Sequence, residues 1–217
     1  MATDPVFRSS MTYLVLNPDW TVPRNILRND TLPAIRKDPA YLTKQHTDVV
    51  MATGRPVNPA SIDWFSFAGQ RVPDFIRQRP GLWNALGQVK FISPNDHFVF
   101  LHDTPVRELF ARSERSFSSG CIRVEQPLDL AALLLEDQPG YSRSEIDTLL
   151  ASGEKRTVFL REPLPVLLQY LTAAEPESGQ FRFHRDIYNR DARGAGCAEC
   201  SATGGLKTGC TGLTRPG

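Results

Sequence analysis

The sequence predicts an α+β domain, mainly β with added helices. Three observations carry that expectation. Short runs rich in branched and aromatic residues recur along the chain, at Met11–Leu16, Gln88–Ile92, His97–Leu101 and Arg156–Leu160. Two stretches after Gln126 have helical composition and helical boundary signals. Between Arg24 and Arg79 the strand pattern gives way to short amphipathic pieces cut by Pro33, Pro39, Pro56, Pro59 and Pro73, over a length too great for a plain loop.

Taken in order, Met11–Leu16 reads as a strand ended by the Asn17-Pro18-Asp19 turn, with Trp20 to Pro23 as a short extended exit. Trp20 reads as a core anchor. Asn25–Leu27, Leu32–Lys37 and Ala40–Gln45 read as short helices and Thr47–Met51 as a strand. Pro59 opens a helical turn running to Trp64. Phe75–Arg79 and Gln88–Ile92 are strands punctuated by Gly87 and Pro94-Asn95-Asp96. His97–Leu101 alternates as a strand with His102 at its end, and Asp103-Thr104-Pro105 breaks it. Val106–Phe110 is a helical turn. Ser116–Gly120 is a small-residue turn that delivers Cys121, and Ile122–Val124 is extended again. Pro127–Glu136 is a helix with proline in its first turn. Ser142–Ala151 is a second helix, with Glu145 placed for a capping box and Ser152-Gly153 as its stop. Arg156–Leu160 and Pro165–Leu171 are predicted as the two strands of a hairpin around Arg161-Glu162-Pro163. Phe181–His184 is a last strand.

Chemistry concentrates between Asn95 and Glu125. A histidine at a strand end and a cysteine just past a serine–glycine turn are the parts of a Cys/His nucleophilic pair. Cys121 needs a base because the thiolate is the nucleophile and a free cysteine is mostly protonated at neutral pH. His102 is the candidate base. His97 is expected at the surface or rim, since in a regular strand positions 97 and 102 point to opposite faces. His46 and His184 are expected to be structural or solvent-facing. Backbone N–H groups at Ser119-Gly120-Cys121 are the natural oxyanion donors, and Gly120 permits close backbone approach. Two roles fit Arg123: ordering the loop, or meeting a substrate carboxylate with its guanidinium fork. Ser118 and Ser119 fit either a bound peptide or the turn itself.

The HDTP and SSGCIRV segments resemble the signature of the L,D-transpeptidases, the YkuD-type cell-wall cross-linking enzymes, whose usual form is H-G-T followed by S/T-H-G-C-h-R/N. Asp103 stands at the common glycine and Ser119 at the common histidine, and both replacements are similar to the large YcbB-like branch. So are MTYLVLNPDWTVP, NALGQVKFISPN, Pro127-Leu128-Asp129-Leu130-Ala131 and YLTAAEPESGQFRFHRDIYNRD. The resemblance implies a mixed-sheet sandwich or barrel over residues 4–191, truncated at its N-terminus, with residues 24–79 as a capping insert over the active site. It also implies the roles: Cys121 the nucleophile, His102 the proton carrier, and the Asp103 main-chain carbonyl the group that orients the ring. The implied reaction is a 3→3 cross-link between peptidoglycan stems through a thioester, with no metal or cofactor, in a family acylated by carbapenems. Water as acceptor would make an L,D-carboxypeptidase, and a protein lysine would make a lipoprotein-anchoring transferase. A structural elaboration is the alternative for the insert, and an inactive peptidoglycan-binding fragment the alternative for the whole.

Composition excludes other classes. The chain has 217 residues, enough for one ordinary domain, and its 41% hydrophobic and 23% charged content is that of a soluble globular protein. A net charge of +1 leaves no broad basic surface for nucleic acid. No apolar run approaches the ~20 residues of a membrane span. Met1-Ala2-Thr3-Asp4-Pro5 lacks the features of a secretory signal and by itself points to the cytoplasm. The resemblance points instead to the periplasm, with signal or anchor upstream. Residues 192–217 read as a disordered Gly/Ala/Thr-rich tail. Its Cys197-x-x-Cys200 and Cys210 lack a fourth zinc ligand nearby.

Overall fold

The computed structural model of the chain describes residues 5–51, 53–67, 75–117, 120–174, 179 and 181–191. Ser118, Ser119 and the 192–217 tail lie outside the described residues. The chain divides into a larger unit, Phe7–Leu168, and a smaller one that contains Gln169 onward.

The larger unit is built on a five-stranded sheet ordered β8-β7-β6-β1-β9. Its strands are β1 (Phe7–Leu16), β6 (Val89–Ile92), β7 (Leu101–His102), β8 (Ile122–Arg123) and β9 (Arg156–Leu168). All pairings are antiparallel except β7 with β8, so the sheet is mixed. It is open, with β8 and β9 as its edges among the described residues. Alternation along the strands sorts the faces. Leu14 and Leu16 of β1 and Val89 and Phe91 of β6 share one core with Ala131, Leu135, Ile146 and Leu150 of the helical region. Helices α4 (Pro127–Leu134) and α5 (Arg143–Ala151) therefore cover that face. Ser142 and Glu145 form the capping box of α5, the Ser142 N–H donating to Glu145 Oε2 at 2.9 Å. Asn17, in the left-handed region at φ 48°, donates from Nδ2 to the carbonyls of Leu149, Leu150 and Glu154, which holds the end of α5 beside the end of β1. Phe91 is fully buried. Phe91→Ala should destabilise the chain by about 3–5 kcal/mol in a chemical denaturation curve.

The stretch after β1 builds a second sheet, ordered β2-β5-β3-β4, from β2 (Trp20–Thr21), β3 (Thr47–Val50), β4 (Pro56–Val57) and β5 (Phe75–Gln78). It has its own core of Val22, Leu27, Ile35, Leu42, Val49 and Ile76. Trp20 is only partly buried against this core. The helical pieces predicted as separate are continuous from Arg24 to Lys37: α1 (Arg24–Ile26) runs through a π-helical turn (Leu27–Thr31) into α2 (Leu32–Lys37), followed by α3 (Tyr41–Lys44). Pro33 does not cut the helix, because it falls in the first turn of α2, and the wider turn just before it accommodates the missing N–H.

Two expectations fail. In place of the hairpin predicted over Arg156–Leu171 there is one continuous strand, β9, from Arg156 to Leu168, paired along β1 from Leu16↔Arg156 to Phe7↔Leu168. Pro163 and Pro165 are tolerated because β9 is an edge strand, and a register shift opposite Met11–Tyr13 absorbs the Arg161-Glu162-Pro163 segment as a bulge. The strand His97–Leu101 is also absent; only Leu101–His102 is in the sheet. The Asn95 side chain takes the backbone that a ladder would have used. Its Oδ1 accepts from the N–H groups of His97 and Val99, and its Nδ2 donates to the carbonyls of Ser93 and Val99. Phe98 sits at φ 55°, which no strand accommodates.

In the smaller unit, β10 (Ala173–Ala174) pairs with β11 (Arg182–Phe183). Asp186 anchors its last turn: Oδ1 accepts from the Tyr170 hydroxyl and Oδ2 from the Asp191 N–H, and backbone donors hold its carboxyl down at about 2.

Candidate active site

The register of the main sheet decides where the chemistry faces. His102 pairs with Lys90 on one side and Arg123 on the other. Lys90 alternates with the core residues Val89 and Phe91, so the side chains of Lys90, His102 and Arg123 share the face turned away from α4 and α5. Cys121, two residues before Arg123, lines a cleft together with His102 and Arg123.

That cleft has a volume of about 440 Å³. Its walls include Cys121, His102, Arg123 and Gly120 from the main sheet and its loops, and Trp20, Asn25 and Ile26 from the second sheet and α1. His97 and Phe98 line it too. His97 would point away from His102 in a regular strand; with the Asn95 turn in its place, both histidines border one cavity. His97 is exposed there, its ring 5.2 Å from that of Phe7. Of the other histidines, His46 stacks on Trp83 at 3.8 Å, while His184 is exposed.

His102 is 6% exposed, and its Nδ1 makes a short hydrogen bond to the main-chain oxygen of Asp103. A carbonyl only accepts, so Nδ1 carries the proton and Nε2 is the basic nitrogen of the neutral ring. Burial holds the imidazole below its ordinary range, and the positive charges of Arg123 and Lys90 push the same way. The Asp103 carbonyl and carboxylate oppose them. The ring is therefore neutral at neutral pH and able to accept a proton.

Cys121 is partly exposed, its Sγ 4.0 Å from the Phe98 carbonyl oxygen. Gly120 has φ 130°, and a Cβ built there would meet nothing within 4 Å. Glycine is required by the backbone conformation, not by close approach of a neighbour. Arg123 is half-buried, and its Nη1 is shielded from water with no acceptor among the described residues. Ser118 and Ser119 lie outside the described residues.

Sequence reasoning missed Lys90. Its ammonium lies 4.2 Å from the centre of the Phe100 ring, a cation–π arrangement, and burial lowers its pKa. The signal was present as a single charge inside the apolar run Val89-Lys90-Phe91-Ile92. Also missed was the Asp103 side chain, 2% exposed and fully engaged. No cluster of metal-ligating side chains exists among the described residues.

The family model of the YkuD L,D-transpeptidase catalytic domain matches residues 2–148, which includes every residue of this cleft. The chain belongs to the L,D-transpeptidase catalytic domain family. This L,D-transpeptidase domain is also 39% identical over 187 residues to a Haemophilus influenzae protein named "Putative L,D-transpeptidase". That match covers 86% of this chain but only 37% of the relative's length. The family is an enzyme family, and the mixed α+β architecture accords with its fold. No helix among the described residues is long and apolar enough to cross a membrane.

Proposed function

We propose that this chain is the catalytic domain of a peptidoglycan L,D-transpeptidase that forms 3→3 cross-links through a cysteine thioester. One observation carries the reading: Cys121 and His102 border one cleft, and His102 spends Nδ1 on the Asp103 carbonyl, which leaves Nε2 for the thiol proton. In this reading the Cys121 sulfur attacks the carbonyl of the third residue of a tetrapeptide stem. The carbon–nitrogen bond to the terminal D-alanine breaks, and His102 returns the proton to the departing amine. A side-chain amine of a second stem then attacks the thioester, and the thiol is released. N–H groups of the Ser119-Gly120-Cys121 turn serve as oxyanion donors, and Ser118 binds the substrate peptide. Arg123 meets a stem carboxylate, supported by its shielded, unpartnered Nη1.

Residues 24–79 act as the cap over the acceptor side, supported by Asn25 and Ile26 on the cleft wall. In this reading the chain belongs to the YcbB-like branch, supported by its HDTP and SSGC segments, and works in the periplasm, supported by a peptidoglycan substrate. Incubation with a carbapenem should yield a stoichiometric adduct on Cys121 by mass spectrometry. Incubation with purified tetrapeptide stems should yield 3→3 dimers. Tripeptide without dimer would instead mean an L,D-carboxypeptidase. Stem binding with no adduct and no product would mean an inactive peptidoglycan-binding fragment.

A further inference from the structure

We propose that the Asp103 carboxylate, braced by Arg107 and seated against Gly87, is a positioning residue that aligns His102 with Cys121 and thereby sets the pH range over which Cys121 reacts. The inference rests on Cys121 and His102 being the reacting pair, and it assigns a task to a side chain whose main chain alone had a role.

The carboxylate is almost sealed from water, and each oxygen has a donor. Oδ1 accepts from the Thr104 N–H and from Arg107 Nη2, both at 2.6 Å, and Oδ2 accepts from the Gln88 N–H at 2.8 Å. The Asp103 N–H donates to the Val89 carbonyl at 2.9 Å. The residue whose carbonyl holds the His102 ring is thus tied to the start of β6 through both its main chain and its side chain. Arg107 carries the tie to the nucleophile's strand, because its Nη1 donates to the Glu125 carbonyl at 2.6 Å. The Val124 N–H in turn donates to the His102 carbonyl at 2.9 Å. Base and nucleophile are held in one frame with Asp103 at its centre.

Gly87 belongs to the same device. At φ 62° it needs glycine for its backbone, and a Cβ there would fall 2.3 Å from the Asp103 carboxylate. A buried carboxylate is costly unless paired. Removing it would leave the Gln88 and Thr104 N–H groups without their acceptor, which is costly in turn. The charged groups that face His102 are Lys90 on β6, Arg123 on β8 and Asp103 itself. Arg107 faces Asp103, and Cys121 and His97 share the cleft. Asp103 is therefore the anionic side chain among the described charges that favours the imidazolium formed when His102 takes the thiol proton.

The test is the rate of Cys121 alkylation by iodoacetamide from pH 5 to 10, read by mass spectrometry of the Cys121 peptide, with melting temperature measured in parallel. In the unmodified chain, reactivity should persist well below the free-thiol range near ~8.5. Asp103→Asn and Arg107→Gln should move the rising limb up by about one pH unit, slow alkylation near neutrality by about tenfold, and leave the rate at pH 10 unchanged. Arg107→Lys, which keeps a cation beside Asp103, should shift the limb less. A fall in melting temperature with the limb unmoved would show a merely structural role and overturn the proposal. Arg107 is half-exposed, so its variants decide the matter if Asp103→Asn fails to fold. An unmodified chain with only free-thiol reactivity would overturn the Cys/His pair and this proposal with it. A low-pH limb that ignores both variants would overturn this proposal alone.

Discussion

Cys121→Ala should abolish the carbapenem adduct and all cross-linked product, a loss of at least about a thousandfold if the sulfur is the nucleophile. The fold should be untouched. Cys121 is partly exposed and belongs to neither apolar core, so its loss leaves no cavity of consequence. The measurement is intact mass and peptide mapping after carbapenem treatment, with melting temperature beside it. Mapping is essential because Cys197, Cys200 and Cys210 are also present. An adduct on any of those three, persisting in Cys121→Ala, would remove the nucleophile from the assignment.

His102→Ala should slow acylation near neutral pH by about 10²–10⁴-fold, the usual worth of a positioned general base. The rate should recover partly as pH rises through ~8.5, where a free thiol ionises unaided. The native profile should extend to lower pH, because a Cys121 thiolate paired with the protonated His102 ring persists below the pH where a free thiol falls silent. The lowered His102 pKa has a stability consequence. With the folded pKa lowered, the unfolded chain binds more protons as pH falls through ~6.5, so this group's contribution to stability declines in that window. His102→Ala should flatten that part of the stability–pH curve. His97→Ala should leave both profiles nearly unchanged, since His97 is exposed at the rim. The reverse pattern, with His97→Ala flattening the acylation profile, would move the base to His97.

Much of the chain was legible because its signals are local. The Ser142/Glu145 box and the Gly153 stop define α5 within a dozen residues, and the apolar runs of β1 and β6 need only a period of two. The cysteine behind its small-residue turn and the histidine that opens HDTP are likewise short-range patterns, and they sufficed to name the family. What the sequence could not decide depends on partners far along the chain. Whether His97–Leu101 joins the sheet turned on Asn95 competing for its backbone, and parity arguments fail where no ladder exists to enforce them. Whether Arg156–Leu171 folds back on itself turned on β1, which pairs with β9 along nearly its whole length and leaves its prolines at an open edge. The Asp103 carboxylate meets Gln88 and Arg107, and Lys90 lies across the ladder from His102. A residue's type predicts which contacts it can make, but only the register of the sheet decides which neighbour arrives to make them.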